Sequence, residues 1–99
     1  MAEYRITNKA VSDLNEIWAY TFDQWSEDQA DQYYNILLGL CEDIAKNPDL
    51  GKNYDGIRPD LLGLKANRHI IFYRIVKPGL TEITRILHSR MDLKNRIGE

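Results

Sequence analysis

The chain is short of several things, and each shortage removes a class of function. Its one cysteine, Cys41, rules out an internal disulfide and any cysteine-based metal cluster. No apolar stretch approaches the roughly 20 residues that a membrane span needs. The opening residues Met-Ala-Glu-Tyr-Arg lack the basic n-region and apolar h-region of a secretory signal, so the expected location is the cytoplasm. Gly51, Gly56 and Gly63 fit no phosphate-binding loop. The only histidines, His69 and His88, lie far apart in sequence and have no cysteine beside them, so they make no metal motif. Neither a metal nor an organic cofactor is expected.

What is present describes an ordinary globular chain. Ninety-nine residues, 43% apolar and 28% charged, suit one domain over residues 1–99 with one core. The net charge of −2 hides an asymmetry. Residues 1–57 carry 4 Lys/Arg and 11 Asp/Glu, which gives −7; residues 58–99 carry 9 and 4, which gives +5. A dipolar layout of this kind suits either a partner surface on one side or two halves that neutralise each other across their own interface.

The apolar periodicity sets the order of elements. Glu3–Thr7 reads as a short strand, and Thr7 or Asn8 can cap the helix that follows. That helix has a stripe of Ala10, Leu14, Ile17, Trp18, Thr21 and Trp25. Ser26 to Gln29 fits a capping box, opening a second helix with a stripe of Ala30, Tyr33, Tyr34, Leu37, Leu40, Cys41 and Ile44. It must end by Asn47, because Pro48 lacks an N–H. Pro48–Asp60 reads as a loop, and Leu61–Ala66 as a strand weakened by Gly63. His69–Val76 and Ile83–Asp92 follow as an antiparallel hairpin across Lys77-Pro78-Gly79. Met91–Ile97 reads as a last helical turn or a frayed tail. The layout is α+β and two-layered, β-α-α-β-β-β, an antiparallel sheet packed against an N-terminal helical hairpin. Strand alternation places Arg74 with Ile70 and Phe72, and Arg85 with Ile83 and Leu87.

Arginines in apolar strands need partners, because an unpaired buried charge is prohibitively unfavourable. Asp13, Glu16, Glu82 and Asp92 are the available carboxylates for Arg58, Arg74, Arg85 and Arg90. His88 reads as a structural histidine at a strand end, bonded to a backbone carbonyl or to Asp92, and His69 as a turn or edge residue. Most aromatics on the helices should be core. Tyr20 and Phe22 leave the first helix's stripe, so one of them should be exposed as an anchor for a protein partner.

Taken in order and spacing, several pieces resemble the ParE toxins of the RelE/ParE superfamily, from bacterial type II toxin–antitoxin modules. They are Tyr4-Arg5-Ile6-Thr7, Asp13-Leu14 with Ile17-Trp18, Asn47-Pro48-Asp49-Leu50-Gly51, His69-Ile70-Ile71-Phe72-Tyr73-Arg74 and Ile86-Leu87-His88 with Arg90-Met91-Asp92. The resemblance covers nearly the whole length. It implies a non-enzymatic toxin that inhibits DNA gyrase by protein contact, binds no nucleic acid by itself, and is neutralised in a hetero-oligomer with a ParD-type antitoxin. On this reading acidic antitoxin residues meet Arg58, Lys65, Arg68 or Arg90. The toxic contact falls on the basic, loosely packed segment His88–Ile97, which includes Met91 and Asp92, and deleting residues 91–99 should abolish toxicity while keeping the fold. The alternative within the superfamily is a RelE-like mRNA endoribonuclease. There His88 would act as base, and Arg74, Arg85 and Arg90 would hold phosphate. That set lacks a tyrosine beyond Tyr73, and Asp92 would repel RNA.

Overall fold

The computed structural model describes residues 2–97. Met1, Gly98 and Glu99 lie outside them, and with them the first residue of the leader reading and the end of the segment 91–99. Strand β1 (Glu3–Ile6) leads into α1 (Asn8–Gln24), and α2 (Glu27–Lys46) follows directly. A single 3-10 turn (Pro48–Leu50) precedes β2 (Lys52–Asn53), β3 (Leu62–Ala66), β4 (His69–Lys77), β5 (Leu80–His88) and α3 (Leu93–Ile97).

The helix ends follow local chemistry. Thr7 caps α1: its Oγ1 accepts the Ala10 N–H at 3.1 Å and donates to the Thr84 carbonyl at 2.8 Å, tying the helix start to β5. Ser26 caps α2 by accepting the Gln29 N–H at 3.1 Å. Only Trp25 and Ser26 separate the helices, and Trp18 Nε1 donates to Asp31 at 2.9 Å across the pair. The β4–β5 turn uses Pro78 and then Gly79 at φ 85°, the order a type II turn takes.

The sheet order is β1-β5-β4-β3-β2. β3, β4 and β5 pair antiparallel as expected, and β2 pairs antiparallel with β3, but β1 runs parallel to β5. β1 and β5 are joined through the rest of the domain rather than by a turn, so no hairpin geometry forces them antiparallel. The short β2, inside the stretch read as loop, extends the far edge against Leu62 and Gly63.

Simple alternation fails at one point in β5. The β4–β5 register jumps so that Phe72 faces Arg85 while Tyr73 faces Ile83, leaving Thr84 as a bulge. Ile83 therefore turns to the helix side with Ile86, not to the Arg85 side. Arg74 keeps its expected face.

Two cores result. On the helix side, Leu14, Leu37, Cys41 and Ile44 pack on Ile71, Tyr73, Ile83 and Ile86. Each such aliphatic side chain contributes about 1.5–3 kcal/mol by leaving water. The Tyr73 hydroxyl is buried there too, and it donates to the Pro48 carbonyl at 2.6 Å and accepts the Gly51 N–H at 2.9 Å. A side chain at position 51 would meet that hydroxyl and the Gly63 carbonyl, so only glycine fits. On the reverse face, Leu61, Ile70, Phe72 and Leu87 are covered by Tyr54, Leu93 and Ile97. The C-terminal turn is thus docked, not loose. Ile97 is 5% exposed, and Arg58 Nη2 and Arg85 Nη1 donate to the carbonyls of Ile97 (3.2 Å) and Arg96 (2.7 Å).

Candidate partner-binding groove

An open groove of about 1110 Å³ runs between the helical hairpin and the end of the sheet where β4 begins and β5 finishes. The α1–α2 corner supplies Tyr20 and Trp25, α2 supplies Ile36, and the segment after β5 supplies Met91. These four side chains are 65%, 71%, 52% and 41% exposed. Large apolar groups clustered in one concavity mark a surface that a partner covers. Trp25 was expected in the core. It is the C-cap of α1, with φ −132° and ψ −91°, so helical periodicity no longer directs its side chain. Tyr20 and Phe22 are both exposed, where one was expected.

Cations rim the groove. The β3–β4 turn places Asn67 in the left-handed region at φ 55°, which asparagine tolerates, and presents Arg68 to the groove. Arg90 lines the same rim from the segment after β5.

The inner end holds three rings. His69 and His88 are direct cross-strand partners with centroids 5.4 Å apart and planes at 77°. Tyr33 reaches from α2 with its hydroxyl 2.7 Å from His69 Nδ1 and 3.2 Å from the Ala66 carbonyl. His69 opens β4 beside the β3–β4 turn, as expected, and is half-buried at the inner end of the groove. Burial, and then the neighbouring His88, push its pKa down to about 4, so it is neutral at physiological pH. His88 Nδ1 accepts the Arg90 N–H at 3.1 Å rather than bonding a carbonyl or Asp92. Among the described residues, no group of three or more His, Cys, Asp or Glu is arranged to hold a metal ion.

One wall rests on a buried ion pair. Asp13 accepts from Arg85 Nε at 2.8 Å, from Arg85 Nη2 at 3.1 Å and from the Ile86 N–H at 3.0 Å. β1 ends beside Ile83, so the outer edge of β5 beyond it has no strand, and the Asp13 carboxylate takes its place.

The sequence-predicted residues separate. Arg68, Arg90, Met91 and His88 converge on the groove. Lys65 stands exposed on β3. Asp92 Oδ1 accepts the Asn95 N–H at 3.5 Å and its Oδ2 accepts from Asn95 Nδ2 at 2.6 Å, capping α3. Arg58 lines a second cleft of about 630 Å³ with Arg74 and Arg85. Arg74 pairs with Glu82 at 2.8 Å and Arg85 with Asp13, two of the four carboxylates available in the sequence. Of the four residues considered for phosphate chemistry, only His88 and Arg90 therefore share the groove. Sequence reasoning missed Trp25, Ile36 and the His69–His88 contact. The hairpin register was the one signal that paired the histidines.

Comparison with known proteins agrees with this architecture. The family model described as the ParE toxin of the type II toxin–antitoxin system parDE matches residues 4–93. The chain is 38% identical over 96 residues to Toxin ParE1 of Mycobacterium tuberculosis, covering 97% of this chain and 98% of the relative. It is 32% identical over 99 residues to Toxin ParE1 of Caulobacter vibrioides, covering 99% and 100%. The solved chromosomal ParDE toxin–antitoxin system from P. aeruginosa superposes with a TM-score of 0.76 at 18% identity, over 89% of this chain and 96% of that one. The chain belongs to the ParE toxin family of type II toxin–antitoxin systems.

Proposed function

We propose that this chain is the toxin of its module, that residues 1–99 act as one cytoplasmic domain, and that it inhibits DNA gyrase by protein contact without catalysis. A ParD-type antitoxin neutralises it by laying an amphipathic helix into the groove. The observation that carries this reading is the exposed cluster of Tyr20, Trp25, Ile36 and Met91. Aromatic and aliphatic anchors in a concavity, with arginines on the rim, are what a helix-in-groove partner engages. Arg68 and Arg90 would meet acidic antitoxin side chains. An extended antitoxin segment has β3 beside Lys65 available, because β2 pairs only with Leu62 and Gly63. The relatives' names support an antitoxin partner, since the solved neighbour is a ParDE system.

The test is a gyrase supercoiling and DNA-cleavage assay with purified toxin, with and without antitoxin. Accumulated cleaved DNA, reversed by antitoxin, is expected. An unaffected gyrase rejects the target.

The ribonuclease reading keeps one supporting observation, the pair of imidazoles between Arg68 and Arg90. It predicts mRNA fragmentation on translating ribosomes, lost in His88→Ala. The gyrase reading predicts a DNA-damage response instead.

A further inference from the structure

Away from the groove, the reverse face of the sheet carries a row of three charged side chains on adjacent strands. Arg5 on β1 and Arg74 on β4 are both register partners of Glu82 on β5. Tyr4, Ile6, Tyr73 and Ile83 pack toward the helices, so the row lies on the opposite side. Each arginine uses only its Nε, at 2.8 Å, and each takes a different oxygen of the one carboxylate. Glu82 is 15% exposed and the two guanidinium side chains 53% and 50%. Among the described residues the Nη groups of both arginines have no partner, so two forks stand in solvent about 10 Å apart at their backbones, two strand spacings. Arg58, an exposed residue whose Nη2 donates to the Ile97 carbonyl, adds a third guanidinium in the cleft beside Arg74, and Lys9 lines the same cleft.

We infer that this row, Arg5, Arg74 and Arg58, is a contact for the phosphate backbone of duplex DNA. Guanidinium forks match phosphate oxygens, and a carboxylate that fixes two of them by Nε alone orients both while leaving their donors open. A protein partner is disfavoured here. None of the exposed large hydrophobic side chains lines the cleft, and its aliphatic members Leu61 and Ile97 are 3% and 5% exposed. Protein interfaces take their energy from buried anchors, whereas phosphate contacts need only placed charge. The rest of the molecule orients the approach. α1 and α2 together carry eight Asp/Glu against Lys9 and Lys46, so the helical layer repels a polyanion and turns the sheet's reverse face toward it. The acids on this face, Glu3, Glu82 and Asp60, keep the contact weak and independent of base sequence.

The inference goes beyond the gyrase reading and revises the expectation that the free chain touches no nucleic acid. Its test contains no gyrase, so either can fail alone. Binding of a labelled 20-base-pair duplex is followed by fluorescence anisotropy from 20 to 200 mM salt. Three phosphate contacts give a log–log slope of about −2.7, and Arg58→Gln with Arg74→Gln brings it to about −0.9. Arg68→Gln with Arg90→Gln, on the groove, leaves it unchanged. Thermal unfolding confirms that each variant is folded. Should the double variant unfold, Arg58→Gln alone, at an exposed side chain, is expected to lower the slope by about 0.9. A flat salt profile for the unaltered chain overturns the inference, as does an equal loss in the groove variant. So does a glutamate-rich peptide of matched charge that binds as tightly and is lost with Arg58 and Arg74, which would make the partner an acidic protein.

Discussion

Asp13 on α1 holds Arg85 on β5 through two of that side chain's nitrogens, while Arg85 passes a third bond to the carbonyl of Arg96. One buried guanidinium therefore joins the helical layer, the sheet and the C-terminal turn. Removing its partner leaves a charge with nowhere to be solvated. Asp13→Ala is expected to destabilise the fold by about 3–5 kcal/mol, measured by urea unfolding, whereas Asp13→Leu with Arg85→Met together should cost much less. Similar losses in the single and double variants would mean that packing, not charge, sets the effect.

The docked C-terminus changes what a truncation reports. Deleting residues 91–99 removes Leu93 and Ile97 from the reverse-face core and the carbonyls that Arg58 and Arg85 bond. The truncated chain should lose at least about 2 kcal/mol of stability, the scale of one buried Ile→Ala change. Loss of toxicity in it then reflects unfolding as much as a lost contact. The substitution Met91→Ser, at a 41% exposed side chain, separates the two: stability unchanged in a melting curve, with activity reporting the contact alone.

Trp25 is 71% exposed and caps no core. Trp25→Ala should therefore shift stability by no more than about 0.5 kcal/mol. If the antitoxin occupies the groove, the same change weakens its binding by about 2 kcal/mol, roughly 30-fold, read by calorimetric titration. An unchanged affinity would remove Trp25 from the interface.

His69 gives a pH dependence whose sign follows from its environment. Its pKa is lowered in the fold to about 4 from an ordinary 6.5, because burial against Tyr33 and His88 disfavours the imidazolium. Between those values the unfolded chain binds a proton that the folded chain does not, so stability is complete above about pH 6.5 and falls as pH drops toward 4. Glu82 acts lower. Its carboxyl is held below the usual range by its bonds to Arg74 and then Arg5, and its contribution is lost only as pH falls through that depressed value. His69→Phe should flatten the decline between pH 6.5 and 4 in a series of chemical melts, and a decline that persists unchanged would place its origin elsewhere.

Tyr73 tests the helix-side core. Its hydroxyl bridges the Pro48 carbonyl and the Gly51 N–H at the margin of the core, so Tyr73→Phe leaves two part-buried backbone groups without that partner. A loss of about 1–3 kcal/mol is expected in the same unfolding assay.

Much of this was legible from local chemistry. The caps at Thr7 and Ser26, the helix stop before Pro48, the second helix's stripe and the Pro78-Gly79 turn all depend on neighbours within a few residues, and periodicity reports them directly. The pairing of Arg85 with Asp13 and of Arg74 with Glu82 was legible for a second reason: a charge set in an apolar strand calls for a partner, and few carboxylates were available. What tertiary structure decided was how the remaining distant elements meet. The bulge at Thr84 turned Ile83 to the helices, the parallel run of β1 beside β5 set Arg5 against Glu82, and the hairpin register brought His69 onto His88. The groove exists because Trp25 sits past its helix end and Met91 stands across from it. None of these leaves a periodic trace, since each depends on where two chain segments meet in space and not on what precedes or follows a residue along the chain.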